Sequence, residues 1–184
     1  INESYAKYRI SEALMTTYKL IWDDFCSWYL EIIKPNYGTP IDKNTYQGAI
    51  EKLEKMLKLL HPFMPFLSEE IWHLIDDSRN KDIILAEWPE RGKINKILLS
   101  EFEYLKEIIA GIRTARKDKN IANKDQIELL VTRHQDTNNN LDAIIIKLGN
   151  VSSIKTTKKK PDNTFNFMVK SNEYFIHISE DIDI

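Results

Sequence analysis

The chain has 184 residues but one cysteine, five glycines and a formal charge of only -2, and each shortage excludes something. A single thiol, Cys26, cannot build an internal disulfide framework and fits a reducing, cytosolic setting. It lies within an aromatic helix face and reads as a buried, inert thiol. The few glycines form no glycine-rich loop to cradle a phosphate. A charge near zero gives no global attraction for a polyanion, so an anionic partner must meet a local patch. No apolar run approaches the ~18 residues of a membrane span, no cleavable signal is visible, and there is no repeat or low-complexity tract. Isolated serines offer no nucleophile triad. The four histidines, His61, His73, His134 and His177, are scattered, with no second cysteine to join them. His73 with Glu69 and Glu70 on one helix reads as exposed, unpaired side chains rather than a metal set. The sequence therefore offers no catalytic constellation, cofactor site or metal site. It starts at Ile1 rather than methionine and reads as a piece of a longer protein.

What is present is helical periodicity. From about Asn2 to Lys34, Leu14, Tyr18, Ile21, Phe25, Trp28 and Ile32 recur at spacings of 4 and 3, which predicts a core-facing stripe. Met15, Trp22 and Tyr29 widen it, as in a bundle helix. Pro35, Gly38 and Pro40 make a loop. A second helix is expected from Asn44 to His61, with Ile50, Leu53, Met56, Leu57 and Leu60 on its apolar face. Next comes "LHPFMPFLSEEIW", Leu60 to Trp72. Proline inside a helix costs about 3 kcal/mol or more. Pro62 and Pro65 therefore predict a corner, plugged by Phe63, Met64, Phe66 and Leu67, with Phe63 and Phe66 largely buried. Ser68 is the expected N-cap of a third helix, Glu69 to Asp76. "ILAEWPE" reads as extended. A fourth helix spans Asn95 to Lys117, with Leu98, Phe102, Leu105, Ile109 and Ile112 on one face.

Near Asn123 the period changes from 3.6-type to 2-type. "IELLVT", "VSSIKT", "TFNFMVK" and "EYFIHIS" read as strands, and "NLDAIIIKLGN" as a short helix with Gly149 as its C′ residue. "KKKPDN" reads as a turn. The predicted fold class is mainly α: a helical bundle over 1–122, then a small α/β unit over 123–184.

Charge is concentrated in one place. Arg113, Arg116, Lys117, Lys119 and Lys124 stand against Asp118 alone, a local charge of +4. Arg113, Arg116 and Lys117 share one side of a helix end by i, i+3, i+4 spacing. Two readings fit: a solvated helix C-terminus, where cations suit the dipole, or a patch that faces phosphates. A second cluster, Lys155 and Lys158 to Lys160, reads as a solvated turn. Tyr5, Lys7, Tyr8 and Arg9 mix rings with cations, a combination that stacks on unpaired bases or packs on a preceding helix.

"EALMTTYKLIWDDFCSWYLEIIKP", "KLLHPFMPFLSEEIW" and "AEWPE" together resemble the anticodon-binding bundle of the class I aminoacyl-tRNA synthetases for branched aliphatic amino acids. "FCSWYLE", "GIRTARKDKNI" and "KLGNVSSI" with "VKSNEYFIHIS" are similar to the valyl branch in particular. The resemblance covers almost the whole chain. It implies a parent that uses ATP and valine to make an adenylate and then valyl-tRNA(Val), and a module here that holds the anticodon arm. The class I catalytic signatures, the editing domain, a first bundle helix and a C-terminal helical hairpin are absent from these residues. Catalysis and editing would belong to upstream domains of the same chain, and this piece alone would not activate valine. By approximate position, the resemblance points to Tyr8, Arg9, Leu74 and Ile75 beside the anticodon, together with Arg113, Arg116 and Lys117. Trp22, Trp28, His61, Pro62 and Pro65 read as architecture. The piece is expected to be monomeric. An isoleucyl or leucyl counterpart, or a helical scaffold that binds protein and not RNA, are the alternatives; only the RNA module needs the basic helix end.

Overall fold

Two separate cores organise the chain, one within Ile1–Lys93 and one within Ile94–Ile184. The structure is a computed structural model and describes residues 1–132, 141–158, 160–161 and 164–177.

The first unit is helical. Helix α1 (Asn2–Ala6) stops at Lys7, and Tyr8 turns the chain with φ 55° before α2 (Ile10–Lys19) begins. The helix expected from Asn2 is thus broken once near its start. From α2 the backbone continues without a break through a π-helical stretch, Leu20–Leu30, into α3 (Glu31–Ile33). Ser27 Oγ donates to the Trp22 carbonyl five residues back at 2.8 Å, in step with this wider winding. The winding re-aims the stripe. An α-helix would align Leu14 with Phe25; the wider turns align Thr17 with it instead. Ala13, Thr17 and Phe25 are buried, whereas Leu14 and Tyr18 are 41% and 51% exposed. Cys26, expected to be buried, is half-buried.

Helix α4 (Lys43–Leu60) starts where Asp42 Oδ1 accepts the Thr45 N–H at 2.9 Å, and it packs on α2 and on α5 (Pro65–Ile75). Leu57, Trp72 and Ile83 form the buried centre, flanked by Leu53, Ile71, Ile75 and Ala86. The two prolines do sit at the corner between α4 and α5, but two details differ from expectation. Helix α5 begins at Pro65, whose missing N–H falls where a helix has no internal acceptor. Ser68 therefore lies inside the first turn and not at a cap. Its buried hydroxyl donates to the Met64 carbonyl at 2.7 Å and meets His61 Nδ1 at 2.8 Å. The inward line of α5 is Ser68 and Trp72, which turns Phe66 to solvent. Phe66 is 91% exposed, and Met64 and Leu67 are nearly half exposed. Phe63 alone of the expected plug serves as one: half-buried, it stacks on Tyr5 at 6.1 Å, and Tyr5 meets Trp88 edge-on at 5.8 Å. Phe66→Ala should consequently leave the urea midpoint almost unchanged, within about 0.5 kcal/mol. A loss of core size would place the ring inside.

The second unit joins a long helix to a sheet. Helix α6 (Lys96–Asp118) is capped by Asn95, whose Oδ1 accepts the Leu98 N–H at 3.1 Å. Strands β1 (Ile127–Thr132), β2 (Val151–Thr156), β3 (Thr164–Val169) and β4 (Asn172–His177) form a sheet of order β2-β1-β4-β3. β1 and β2 are parallel, so a crossover is needed, and α7 (Asp142–Gly149) lies in it. The other pairs are antiparallel. Ile127, Leu129 and Val131 alternate inward, and Tyr174 and Ile176 pair beside them on the same face. Leu105, Ile109 and Ile112 of α6 are fully buried as expected, whereas Leu98 is 56% exposed. Helix α6 packs on β3 and α7. Sequence periodicity placed it with the preceding helices, and the compact units divide before it, between Lys93 and Ile94. A methyl group on Gly111 would meet the Phe167 ring at 2.4 Å, so this glycine lets α6 lie directly on β3.

Gly149 is not the left-handed residue after α7; Asn150 is, with φ 48° and ψ 51°. Asparagine tolerates that region because its side chain bonds locally. Its Nδ2 donates to the carbonyls of Asn123 at 2.9 Å and Asp125 at 3.3 Å. Gly149 serves close approach instead, since a Cβ there would stand 3.1 Å from both Ile112 and Val151.

Candidate nucleic-acid interface

The basic end of α6 divides by direction. Leu105, Ile109, Ile112 and Arg116 are spaced 4, 3 and 4, so Arg116 continues the apolar stripe and points inward. It is 4% exposed. Its Nη1 donates to the Ala122 carbonyl at 2.9 Å, and its Nη2 donates to those of Gly149 at 3.1 Å and Asn150 at 3.0 Å. Burial lowers the guanidinium pKa from its ordinary value, and Asp125 opposes that shift. One side chain thus ties the α6–β1 loop to the C-terminal end of α7, where cations suit the helix dipole. The shared side expected for Arg113, Arg116 and Lys117 is not what forms. Arg113 and Lys117, at i and i+4, stay exposed, and Arg116 underlies them. The 4-3-4 spacing was the sequence signal for this.

These groups border a cleft of about 560 Å³. Ile112, Ile121 and Leu148 give it apolar walls, Asn123 and the Gly149–Asn150 backbone give it polar atoms, and Arg113 and Lys117 lie at its lip. Of the remaining cations of the stretch, Lys119 stands 5.9 Å from the Phe165 ring centre and Lys124 is exposed.

The other expected contact residues belong to the first unit. Tyr8 is 89% exposed at the α1–α2 break, held there by Tyr8 N–H to Tyr5 and Arg9 N–H to Ser4 bonds. Arg9 is exposed and reaches Glu12 at 3.4 Å. In the last turn of α5, Leu74 is 75% exposed, whereas Ile75 packs on the Leu57–Trp72–Ile83 centre. Leu74 is therefore a surface residue and Ile75 its support.

His73 is not unpaired. Its Nε2 lies 3.0 Å from Glu69 Oε1 and 3.5 Å from Asp82 Oδ1, while Glu70 points to solvent. These three side chains are close enough to share an ion. The Glu69 carboxylate already accepts the Ile83 N–H at 3.1 Å, so the group closes the segment after α5 back onto that helix. His61 is committed to Ser68, His177 ends β4, and His134 lies outside the described residues.

The second lysine cluster is partly structural. Lys155 pairs with Glu128 across β1 and β2, and Ser153 Oγ donates to the same carboxylate at 3.0 Å. Lys158 and Lys160 are exposed, and Lys159 lies outside the described residues. Hydrogen bonds from Lys155 and Ser153 hold the Glu128 carboxyl below its ordinary range. A lowered carboxyl pKa adds stability above the unfolded value, lost as pH falls through the folded one. The difference in unfolding midpoint between wild type and Glu128→Gln should therefore narrow as the pH is taken down through the carboxylate range. A difference that stays constant would mean the charge contributes nothing.

The family described as "Anticodon-binding domain of tRNA ligase" matches residues 1–131, from α1 through β1. The valine–tRNA ligase of Christiangramia forsetii is 47% identical over 185 residues, covering all of this chain and 21% of that protein. The valine–tRNA ligase of Parabacteroides distasonis is 42% identical over 186 residues, again covering the whole chain and 21% of the relative. For the valine–tRNA ligase of Aquifex aeolicus the identity is 28% over 204 residues, with the whole chain and 18% of the relative covered. The chain thus spans about a fifth of the length of these curated relatives.

Proposed function

We propose, since the chain belongs to the family of anticodon-binding domains of tRNA ligases, that it holds the anticodon arm of tRNA(Val) for a valine–tRNA ligase. The observation that carries the choice of valine is the 47% identity to such a ligase along the whole chain. The protein of which it is part would use ATP to activate valine, in catalytic and editing domains elsewhere in the same chain, and would act in the cytoplasm. Among the described residues no helix is long and apolar enough to cross a membrane.

The side chains take different roles in this reading. Tyr8 offers an open ring for stacking on an unpaired base, a contact worth about 1–3 kcal/mol. Arg9 lies beside it for the backbone. Leu74 gives an apolar surface, kept in place by Ile75. Arg113 and Lys117 meet phosphates, which position the arm without reading its sequence. Arg116 supports them from below.

The test is a titration of the purified chain with valine and non-cognate anticodon stem-loops at several salt concentrations. Changing Arg113 and Lys117 together to alanine should weaken binding to all stem-loops alike and flatten the salt dependence by about two units, one per phosphate released. Tyr8→Ala should instead reduce the preference for the valine anticodon. Equal, salt-insensitive binding by wild type and the double variant would overturn the reading in favour of a solvated helix end.

A further inference from the structure

We infer that the cleft beside the C-terminal end of α6 takes one unstacked nucleotide of the bound RNA, with its base between the apolar walls and its phosphate at Arg113 and Lys117. This rests on the tRNA reading above and adds a specific seat to it.

Size is the first argument. Preformed sites for small organic ligands measure roughly 300–1,000 Å³, and the cleft, at about 560 Å³, lies within that range. Chemistry is the second. Ile121 and Leu148 give it apolar walls, Arg113 and Lys117 stand at its lip, and Arg116 lies buried beneath. A bare phosphate would leave the walls unused, and an apolar ligand would leave the lip unused. A nucleotide, a flat ring joined to an anion, uses both. The exposed Asn123 supplies a side-chain amide that can meet the edge of a base.

Rigidity is the third argument. The two sides of the cleft come from distant parts of the sequence, the α6–β1 loop and the α7–β2 junction. Arg116 bonds to both from a position 4% exposed, and the Asn150 amide bonds back to Asn123 and Asp125. The cleft is therefore built before any ligand arrives, which spares the ordering cost of binding. The bonding partners of Arg116 among the described residues are carbonyls and not a carboxylate. The guanidinium thus remains a cation beneath the cleft and adds to the attraction of the lip, with Asp125 offsetting part of its field.

The experiment uses the whole 184-residue chain and an anticodon stem-loop carrying 4-thiouridine at single loop positions. Irradiation should join one loop position to residues near 121–123 or 148–150. Leu148→Trp, which fills the cleft and leaves every charge in place, should weaken stem-loop binding by about tenfold with an unchanged salt dependence. Asn123→Ala, a milder change, should weaken it less and abolish the crosslink near 123. A thermal melt matching wild type verifies that each variant folds. Stem-loop binding that is normal in both folded variants, with crosslinks only elsewhere, would overturn the nucleotide seat and leave the tRNA reading intact. Failure of the wild-type chain to bind any stem-loop would overturn both. A third arm adds free nucleoside monophosphates: if they occupy the cleft and the stem-loop does not displace them, the site serves a free nucleotide and the inference is wrong.

Discussion

Trp72→Ala should destabilise the first helical unit by about 3–5 kcal/mol, the range for removing a large buried aromatic side chain. Trp72 is 9% exposed and completes a centre with Leu57 and Ile83, each 3% exposed. The alanine leaves a cavity between α4 and α5 that Leu53, Ile71 and Ile75 can fill only in part. It also removes a donor, since Trp72 Nε1 bonds to the Lys81 carbonyl at 3.2 Å and thereby ties down the segment before Ile83. A further contribution comes from charge on the ring face. The Arg79 guanidinium lies 3.8 Å from the ring centre and the Lys58 ammonium 5.5 Å. Arg79 also pairs with Glu54 of α4 and, at 3.6 Å, with Asp76. Loss of the ring therefore loosens that network as well. Trp72→Phe keeps most of the volume and should recover more than half of the loss. The measurement is urea unfolding followed by circular dichroism. A Trp72→Ala midpoint within error of wild type would mean that the centre lies elsewhere.

The contrast between Trp72 and Phe66 shows what the sequence could and could not disclose. Both are aromatic residues in one apolar stretch, and hydrophobicity alone ranks them together. Their fates separate once the start of α5 is fixed. With Pro65 as the first helical residue, Ser68 and Trp72 align and Phe66 faces away. Reading Ser68 as a cap moved the start by a turn and hid that face. The π-helical stretch at Leu20–Leu30 is a second case. Stripe analysis assumes one winding, and a local change of winding shifts every residue before it relative to those after it. Phe25 stayed inside, while Leu14 and Tyr18 turned out.

β1 was legible because its alternation follows the pleat, whereas β2 and β4, which do not alternate in burial, were legible as β-rich runs. Their partners were not legible. Parallel pairing of β1 with β2, and the long helix α6 sharing a core with the sheet, depend on contacts far apart in sequence. The switch of period near Asn123 marks where the backbone changes type. It does not mark where one core ends, because α6 keeps a helical pattern while packing on β3 and α7 of the second unit. In the candidate site the charges were legible and their directions were not. Arg113, Arg116 and Lys117 look alike as a motif, and only the apolar stripe that ends on position 116 tells the inward arginine from the outward pair.

That inward arginine carries the other large prediction. Arg116→Met should destabilise the second unit by about 1–3 kcal/mol, the cost of taking a charged donor away from buried carbonyl acceptors. Methionine fills most of the stem volume but donates nothing, so the carbonyls of Ala122, Gly149 and Asn150 lose the guanidinium together. The Gly149 carbonyl loses its buried donor, at a cost of about 1–3 kcal/mol, whereas the carbonyls of Ala122 and Asn150 keep the N–H groups of Asp125 and Ile127. Arg116→Lys should be intermediate: the charge remains, but a single ammonium cannot span three acceptors held apart by two loops. A guanidinium stays protonated across the accessible pH range, so the loss should not vary with pH as the loss in Glu128→Gln does. Stem-loop binding discriminates further. If Arg116 positions the lip and contacts no phosphate, Arg116→Lys that is folded at the assay temperature should keep the wild-type salt slope while its affinity falls. If Arg116 met a phosphate directly, Arg116→Met that is still folded would flatten the slope by about one unit. Urea midpoints and salt titrations on the same preparations separate these outcomes, and a methionine variant as stable as wild type would show that the guanidinium bonds add nothing net to stability.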